Sequence, residues 1–431
     1  MIRVCFYTLG CKVNQYETQA LAQRFTAEGF LVCPQDEPAE VYIVNSCTVT
    51  AEGDRKVRQL LRRLRREHPD GVVALTGCYP QAFPTQVAAL TGVDVITGSR
   101  DRGGLLRAVA HHLATGERVV SIVPHTKGEA FEAMSADDFG QRTRAFLKIE
   151  DGCENYCAYC IIPFARGPVR SKPMAQLADE LTALATSGHR EVVLAGINLS
   201  SYGRDTGHRL IDAVELACAT AGIDRVRLGS LEPDLITPDD IERMSRLGKV
   251  CPQFHLSLQS GSDTVLARMG RHYLCADYLA VVEQIHACFP DATITTDLMV
   301  GFPGETEEEF TETLAFARRV GFAKIHVFAY SPREGTRAAT MPEQLSGTVK
   351  KQRSHRLLAV AAALRQEFLS TLVGQRVQVL FEERGHDGGQ TGYTKNYTPV
   401  SVTEPQSLQG KLQTVLITEA GAEGCFGVLA D

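Results

Sequence analysis

Residues 145–160, AFLKIEDGCENYCAYC, run from a strand pattern directly into a loop with three cysteines: Cys153, Cys157 and Cys160. Three thiols cannot pair off as disulfides, and a closed zinc site uses four ligands. Soft thiolates also suit iron–sulfur clusters, and three at this spacing would hold three irons of a [4Fe–4S] cube. The fourth iron would stay open to a ligand from outside the protein. The alternatives are a zinc site with a distant fourth ligand and accidental clustering.

The chain around this loop alternates strands with helical segments, which predicts a partial TIM-like (βα)6 barrel with functional residues at the C-terminal strand ends. A long helix is expected over residues 346–370, as the last element of this domain. The strands are predicted at 145–150, 191–196, 225–229, 253–258, 292–299 and 323–329.

The segment before the barrel alternates strands and helices in the order typical of an open parallel sheet of flavodoxin or Rossmann type. Asn14, with Glu17 three residues later, resembles a capping box that opens the first helix. The strands are predicted at 2–9, 41–45, 72–77 and 93–98, and the helices from Asn14 to about Gly29, over 51–67 and near 101–114.

Three dispersed cysteines, Cys11, Cys47 and Cys78, each follow a predicted strand of this sheet. The C-terminal ends of parallel strands share one edge, where ligands bind. We therefore expect the three thiols to converge and to hold a second cluster with one open iron. The alternative for each of them is a buried core thiol.

The composition is that of an ordinary soluble globular protein, with 44% hydrophobic and 22% charged residues among 431. The net charge of −6 neither requires nor excludes a nucleic-acid partner. Neither a secretory signal nor a membrane-spanning run is evident, so we expect a cytoplasmic protein without disulfides. The other seven of the thirteen cysteines are interpreted as structural: Cys5, Cys33, Cys218, Cys251, Cys275, Cys288 and Cys425.

From Val373 the pattern changes to short β segments, which predict a small antiparallel barrel of OB-like type. The predicted domains are 1–118, 142–370 and 371–431. The four basic residues of the last domain are outnumbered by acidic ones, so RNA binding there would need hydrogen bonds or stacking on Tyr393 and Tyr397. The basic helix 54–67 could contact phosphates, and the alternative is a solvated surface face.

Several motifs together are typical of one family. The first domain contains YTLGCKVNQYETQ, NSCTVT and TGCYPQ, and the last contains GYTKNYTPV. The barrel contains GCENYCAYCIIPFARG, GINLSSYG, SLEP, HLSLQSGSDTVLARMGR and DLMVGFPGETEEEF. Through these motifs the chain resembles the radical S-adenosylmethionine (SAM) methylthiotransferase family along its whole length, and its last domain is similar to a TRAM module. Pro168, at a position that is often basic, and Ser46, where Thr is frequent, depart from the family pattern.

The resemblance implies two [4Fe–4S] clusters with SAM as cofactors. The barrel cluster would bind and cleave SAM, and the second would hold the sulfur to be inserted, which a second SAM then methylates. Tyr159 could lie against the adenine of SAM, or simply pack. Further SAM contacts are expected among the polar residues at the barrel strand ends: Asn198, Ser230, Glu232, Ser257, Gln259 and Asp297.

LGCKVNQYE (residues 9–17) resembles the branch that modifies C2 of N6-threonylcarbamoyladenosine at position 37, in the anticodon loop of tRNA. The branch that acts on isopentenyl-adenosine has Gln-Met-Asn after the cysteine, and the branch that acts on a ribosomal-protein aspartate has Pro-Lys-Asn. An electron donor and a sulfur source are also implied. The competing hypotheses are a radical SAM enzyme for a small molecule or protein side chain, and an iron–sulfur electron carrier or scaffold.

Overall fold

The computed structural model describes residues 1–136, 139, 143–384 and 389–430. The first domain is a parallel sheet with strand order β2-β1-β3-β4-β5-β6 and helices on both faces. Its strands are β1 Arg3–Leu9, β2 Leu31–Cys33, β3 Val41–Ser46, β4 Val72–Gly77, β5 Val95–Thr97 and β6 Val119–Ser121. Its helices are α1 Lys12–Ala27, α2 Ala51–Glu67, α3 Cys78–Ala82, α4 Pro84–Ala88 and α5 Arg102–Thr115. The parallel sheet expected from the sequence is confirmed.

Helix α1 begins two residues earlier than the sequence predicts. Cys11 is its N-cap, so the interpretation of Asn14 as the cap is wrong. Asn14 stands in the first turn, where its side-chain oxygen accepts a hydrogen bond of 3.3 Å from the Cys11 backbone. Glu17 is fully buried and forms ion pairs rather than a helix cap. The short strands β2 and β6 were not expected, because three residues are too few for a visible alternation.

The second domain is a curved set of parallel strands formed by two sheets, β11-β10-β7 and β12-β13-β14-β15. They join where β11 and β12 follow each other with Gly229 between them. The parallel strands are β7 Arg144–Lys148, β10 Glu191–Ala195, β11 Arg225–Leu228, β12 Ser230–Leu231, β13 Gln253–Leu256, β14 Thr293–Val300 and β15 Lys324–Ala329. Two short strands, β8 Glu150–Asp151 and β9 Arg170–Ser171, form a separate antiparallel pair. The helices are α6 Ile162–Arg166, α7 Met174–Thr186, α8 Leu210–Ala219, α9 Pro238–Ser245, α10 Asp263–Met269, α11 Cys275–Cys288, α12 Glu307–Val320 and α13 Gly347–Ser370.

The last domain is a closed five-stranded barrel in the order β16-β17-β18-β20-β19. Its strands are β16 Arg376–Arg384, β17 Gly389–Thr394, β18 Pro399–Thr403, β19 Leu412–Ala420 and β20 Cys425–Leu429. The sequence predicts antiparallel pairing throughout, but β18 and β20 pair in parallel. The predicted domain limits at residues 142 and 431 lie outside the described residues.

The turn between β17 and β18 contacts the N-terminal end of the larger barrel. Tyr393 and Tyr397 stack on each other with ring centroids 4.7 Å apart. The guanidinium groups of Arg144 and Arg227 lie 4.9 and 4.6 Å from the Tyr397 ring centre, and Arg227 donates to the Lys395 carbonyl at 3.1 Å. The two tyrosines therefore dock the small domain, and stacking of RNA on their rings stays a prediction.

Across the described parts of the chain, the helices are all too short or too polar to cross a membrane.

Candidate active site

The structure brings Cys11, Cys47 and Cys78 to one edge of the first sheet. They follow β1, β3 and β4, three neighbouring strands whose last residues are in register: Leu9 pairs with Ser46, and Ser46 with Gly77. The charge of the Cys47 thiolate interacts with those of both other cysteines, as expected for groups that face the same space. The convergence predicted from the strand ends is therefore present.

The backbone before Cys78 is shaped for this close approach. Gly77 has a φ of 103°, and a Cβ there would lie 2.4 Å from the Ser46 carbonyl oxygen. The side-chain amide of Asn14 donates to the same Ser46 carbonyl and to the Asn45 side chain, both at 3.2 Å. These contacts fix the three loops relative to one another.

The three thiols differ in exposure and in electrostatic surroundings. Cys11 is exposed, Cys47 partly buried and Cys78 buried. Burial, reinforced by Cys78 and Cys11, raises the pKa of Cys47 to about 12. Burial also raises the pKa of Cys78, against the opposing charge of Arg166, whose Nε donates to the Cys78 Sγ at 3.1 Å. Thiolates here need further positive charge, which the irons of a cluster provide.

The second set of thiols lies in the loop after β8. Gly152, with a φ of 95°, lets this loop run against the segment after α6, since a Cβ would meet the Pro168 carbonyl oxygen at 1.9 Å. Two polar side chains approach the cysteines from the barrel. Arg271 donates to the Cys157 Sγ at 3.3 Å, and the Asn198 amide lies 3.9 Å from the Cys153 Sγ.

Burial raises the pKa of Cys153 and of Cys160 to about 12, and the neighbouring Cys157 adds to both effects. Among the described residues, His, Cys, Asp and Glu side chains do not converge in threes on a point that could hold a single metal ion. A cube presents its irons at separate corners, so its three thiolates need not meet at one point. Each set of three thiolates offers ligands for three irons of such a cube. Ligation by these six cysteines stays a prediction.

A buried ionic network lies between the two cysteine sets. Glu17 of α1 is fully buried and accepts hydrogen bonds from Arg102 at 2.6 Å, Lys148 at 2.9 Å and Arg166 at 2.5 Å. Lys148 and Arg166 also pair with Asp151, at 2.7 and 3.4 Å. Arg166 thus connects Cys78 of the first domain with the base of the Cys153 loop.

Asn198 and Glu232 lie beside the barrel cysteines. The Asn198 side-chain oxygen is buried without a hydrogen-bond partner in the described structure, although its backbone N–H donates to Glu150 at 2.7 Å. This unfilled acceptor beside Cys153 fits the amino group of SAM. Glu232 pairs with Arg271, so its contact to the cofactor would also involve that guanidinium.

Ser257, Gln259 and Tyr159, which are also expected to contact SAM, differ in their surroundings. The Ser257 carbonyl accepts from Arg271, and Gln259 has a φ of 72°, stabilised by backbone hydrogen bonds to Asp297 and Met299. Tyr159 packs on the apolar cluster around Met269 and Phe302, which favours the packing interpretation of this ring. Whether any of these residues binds SAM stays a prediction.

A cavity of about 750 Å³ extends from Cys11 down the inside of the barrel. Ser230 and Asp297 line it, together with Lys12 of α1, and the turn around Tyr397 forms its floor. Burial and the nearby guanidinium groups lower the pKa of Lys12 to about 8. The volume lies in the range of ordinary ligand pockets and suits a modified nucleoside.

The basic helix α2 is partly engaged within the fold. Arg65 pairs with Asp94, and Arg58 donates to the Tyr79 hydroxyl at 3.0 Å. Five basic side chains remain exposed: Arg55, Lys56, Arg62, Arg63 and Arg66. Contact between this face and phosphates stays a prediction.

Four functional candidates were not singled out from the sequence, namely Lys12, Glu17, Arg166 and Arg271. Each lies within one of the quoted motifs, in GCKVNQYE, FARG or ARMGR. Lys12, Glu17 and Arg166 lie within six positions of a predicted cluster cysteine, whereas Arg271 lies fifteen positions after the end of β13. Nothing in one sequence shows which of these charges becomes buried.

Family comparisons agree with this architecture. The pattern of an uncharacterized protein family, UPF0004, matches residues 3–98, that of the Radical SAM superfamily residues 147–317, and that of the TRAM domain residues 370–429. A radical SAM methyltransferase, TsrM from Kitasatospora setae, matches 90% of this chain and 77% of its own, with a TM-score of 0.55 and 14% identity. At that identity it supports the fold alone.

Curated relatives cover the whole chain. A Bacillus subtilis protein named threonylcarbamoyladenosine tRNA methylthiotransferase MtaB is 38% identical over 98% of this chain and 95% of its own. Its namesake from Thermotoga maritima is 34% identical over 98% and 96%. A tRNA-2-methylthio-N(6)-dimethylallyladenosine synthase from Nitratidesulfovibrio vulgaris is 32% identical over 96% and 95%. The chain therefore belongs to the radical SAM methylthiotransferase family, as an MtaB-like transferase enzyme that uses SAM and [4Fe–4S] clusters, of which this family has two.

Proposed function

We propose that this enzyme inserts sulfur and a methyl group at C2 of N6-threonylcarbamoyladenosine at position 37 of tRNA. The observation that carries the proposal is the full-length similarity to the relatives named for this substrate, at 34–38% identity. The LGCKVNQYE motif points to the same branch. The anticodon loop of a tRNA is then the macromolecular partner, and the reaction takes place in the cytoplasm.

The chemistry explains why two incomplete thiol sets are needed. Adenine C2–H is neither acidic nor easily displaced, so the cofactors must supply a radical route, a sulfur atom and a methyl group. The role of the protein is to bind the cofactors and the tRNA base and to orient them. Cys153, Cys157 and Cys160 would hold one cluster, and the sheet-edge cysteines the other.

The remaining groups of the site control charge and access. Arg166 and Arg271 each donate to a ligand sulfur, which stabilises the thiolate form. The cavity is lined by Cys11 and would give a base a route to the sheet-edge cysteines. An external electron donor and a sulfur source complete the reaction.

A second candidate is the same modification of dimethylallyl-adenosine, since relatives of that name are 32–33% identical to this chain over nearly its full length. Mass spectrometry of tRNA nucleosides from cells that lack this protein distinguishes the two. We expect loss of the methylthio group from threonylcarbamoyladenosine, with restoration by the wild-type gene but not by Cys47→Ala. Loss from the dimethylallyl nucleoside instead would overturn the substrate assignment.

A further inference from the structure

Lys12 is a cationic side chain placed between a predicted cluster ligand and the cavity. It directly follows Cys11, and both residues line the cavity wall. In the described parts of the chain, its ammonium group has neither a carboxylate partner nor a hydrogen-bond acceptor. A partly buried cation without a partner is costly unless a ligand provides the counter-charge.

The other cations that line this cavity already have partners. Lys324 lies 3.8 Å from the Glu423 carboxylate. Arg365 donates to the carbonyl oxygens of Ala323 and Glu423, at 3.1 and 2.7 Å. Lys12 is therefore the cation best placed to receive a ligand beside the sheet-edge cysteines.

Guanidinium groups behind the Tyr397 floor of the cavity add to the positive potential. Arg144 pairs there with Glu382 at 2.5 Å, while Arg225 and Arg227 share Glu191 at 3.6 and 2.8 Å. Three guanidinium groups thus face two carboxylates. Asp297 also lines the cavity, but its carboxylate lies 3.5 Å from the imidazole of His255 on the neighbouring strand β13. The side of the cavity around Lys12 therefore favours an anion.

The proposed substrate brings an anion to this place. In N6-threonylcarbamoyladenosine the threonyl carboxylate stays free, and the substituted C6 is separated from C2 only by N1 of the ring. A base whose C2 faces the cluster beside Cys11 therefore holds its N6 substituent close to the same wall. Lys12 is the next residue along that wall.

We propose that Lys12 binds the threonyl carboxylate and determines specificity for threonylcarbamoyladenosine over nucleosides with an uncharged N6 group. The inference rests on the proposed function and adds the recognition element to it. It also gives a physical reason for the Gln of the isopentenyl branch at this position, because a neutral residue suits an uncharged substituent.

The test compares two substrates and three variants. Anticodon stem-loop RNAs carry threonylcarbamoyladenosine either as the free acid or as its methyl ester, and the enzyme is the anaerobically reconstituted full-length chain. The variants are Lys12→Gln, Lys12→Met and the charge-retaining Lys12→Arg. Because Lys12 neighbours a predicted cluster ligand, the iron and sulfide content of each variant is matched to wild type first. Equilibrium binding and KM are then measured for both RNAs.

Wild type should prefer the acid over the ester by about 10- to 100-fold, as expected for a charge-assisted hydrogen bond. Lys12→Gln and Lys12→Met should bind both RNAs as weakly as wild type binds the ester, and Lys12→Arg should retain most of the preference. Equal binding of acid and ester by wild type, or an undiminished preference in Lys12→Gln, would overturn the inference. A wild-type enzyme that converts neither RNA, but does convert a dimethylallyl stem-loop, would overturn the proposed substrate instead.

Discussion

Replacing Glu17 by Gln should destabilise the contact between the first two domains. The substitution keeps the shape of the side chain but removes a fully buried negative charge. Arg102, Lys148 and Arg166, which all donate to Glu17, would then face one another, and Asp151 would remain as an ion-pair partner of Lys148 and Arg166. Removing one member of a buried ion pair typically costs about 3–5 kcal/mol.

The pKa of Glu17 gives a second value for the free energy of folding that the buried charge contributes. Burial alone would raise it, but the charges of Arg102, Arg166 and Lys148 lower the pKa from 4.5 to about 2. A pKa difference of this size corresponds to about 3 kcal/mol. Because the folded pKa is depressed, this contribution is complete above pH 4.5 and is lost as the pH falls from 4.5 towards 2. The stability of Glu17→Gln should therefore lack this dependence on pH between 4.5 and 2.

The suitable assay is amide hydrogen exchange of α1 and β7 at neutral pH, because the chain contains no tryptophan for a fluorescence measurement. The expected loss of about 3–5 kcal/mol in stability corresponds to amide exchange that is about a hundredfold to a few thousandfold faster in these segments. The matched control is Glu52→Gln, which removes an exposed carboxylate that pairs with Arg55 and should change little. Exchange in Glu17→Gln within a factor of ten of wild type would show that the buried charge does not stabilise this contact.

Three further predictions concern the two thiol sets and the docking of the last domain. Cys157→Ala should abolish reductive cleavage of SAM, measured as deoxyadenosine released under dithionite; undiminished release would contradict its assignment to the SAM-binding cluster. Cys47→Ala should still cleave SAM but yield no methylthiolated nucleoside, so detection of that product would reject its role. Tyr397→Ala removes a ring that stacks on Tyr393 and lies against two guanidinium groups, so protease should cleave before β16 faster than in the exposed-site control Phe426→Ala. Equal cleavage of these two variants would show that the tyrosine does not anchor the domain.

The position of the sheet-edge cysteines was predictable because it depends on local patterns. Apolar runs before Cys47 and Cys78 predict buried parallel strands, and parallel strands end at one edge. The ionic network was not predictable, since Glu17 and Arg166 are 149 positions apart and only the packed structure pairs them. The contacts of Tyr397 were not predictable either, because the two arginines it packs against belong to another domain. The capping pattern gave the wrong N-cap at Asn14. This side chain accepts a hydrogen bond from the Cys11 backbone while it stands in the first turn of the helix, and Cys11 is the N-cap.

We expect this chain to hold two clusters, each with three cysteine ligands. The direct test is to measure iron and acid-labile sulfide in anaerobically reconstituted wild type and in the triple variant Cys11→Ala, Cys47→Ala, Cys78→Ala. The variant should retain half of the iron and half of the sulfide, together with reductive SAM cleavage. Equal iron and sulfide in the two proteins would contradict this expectation.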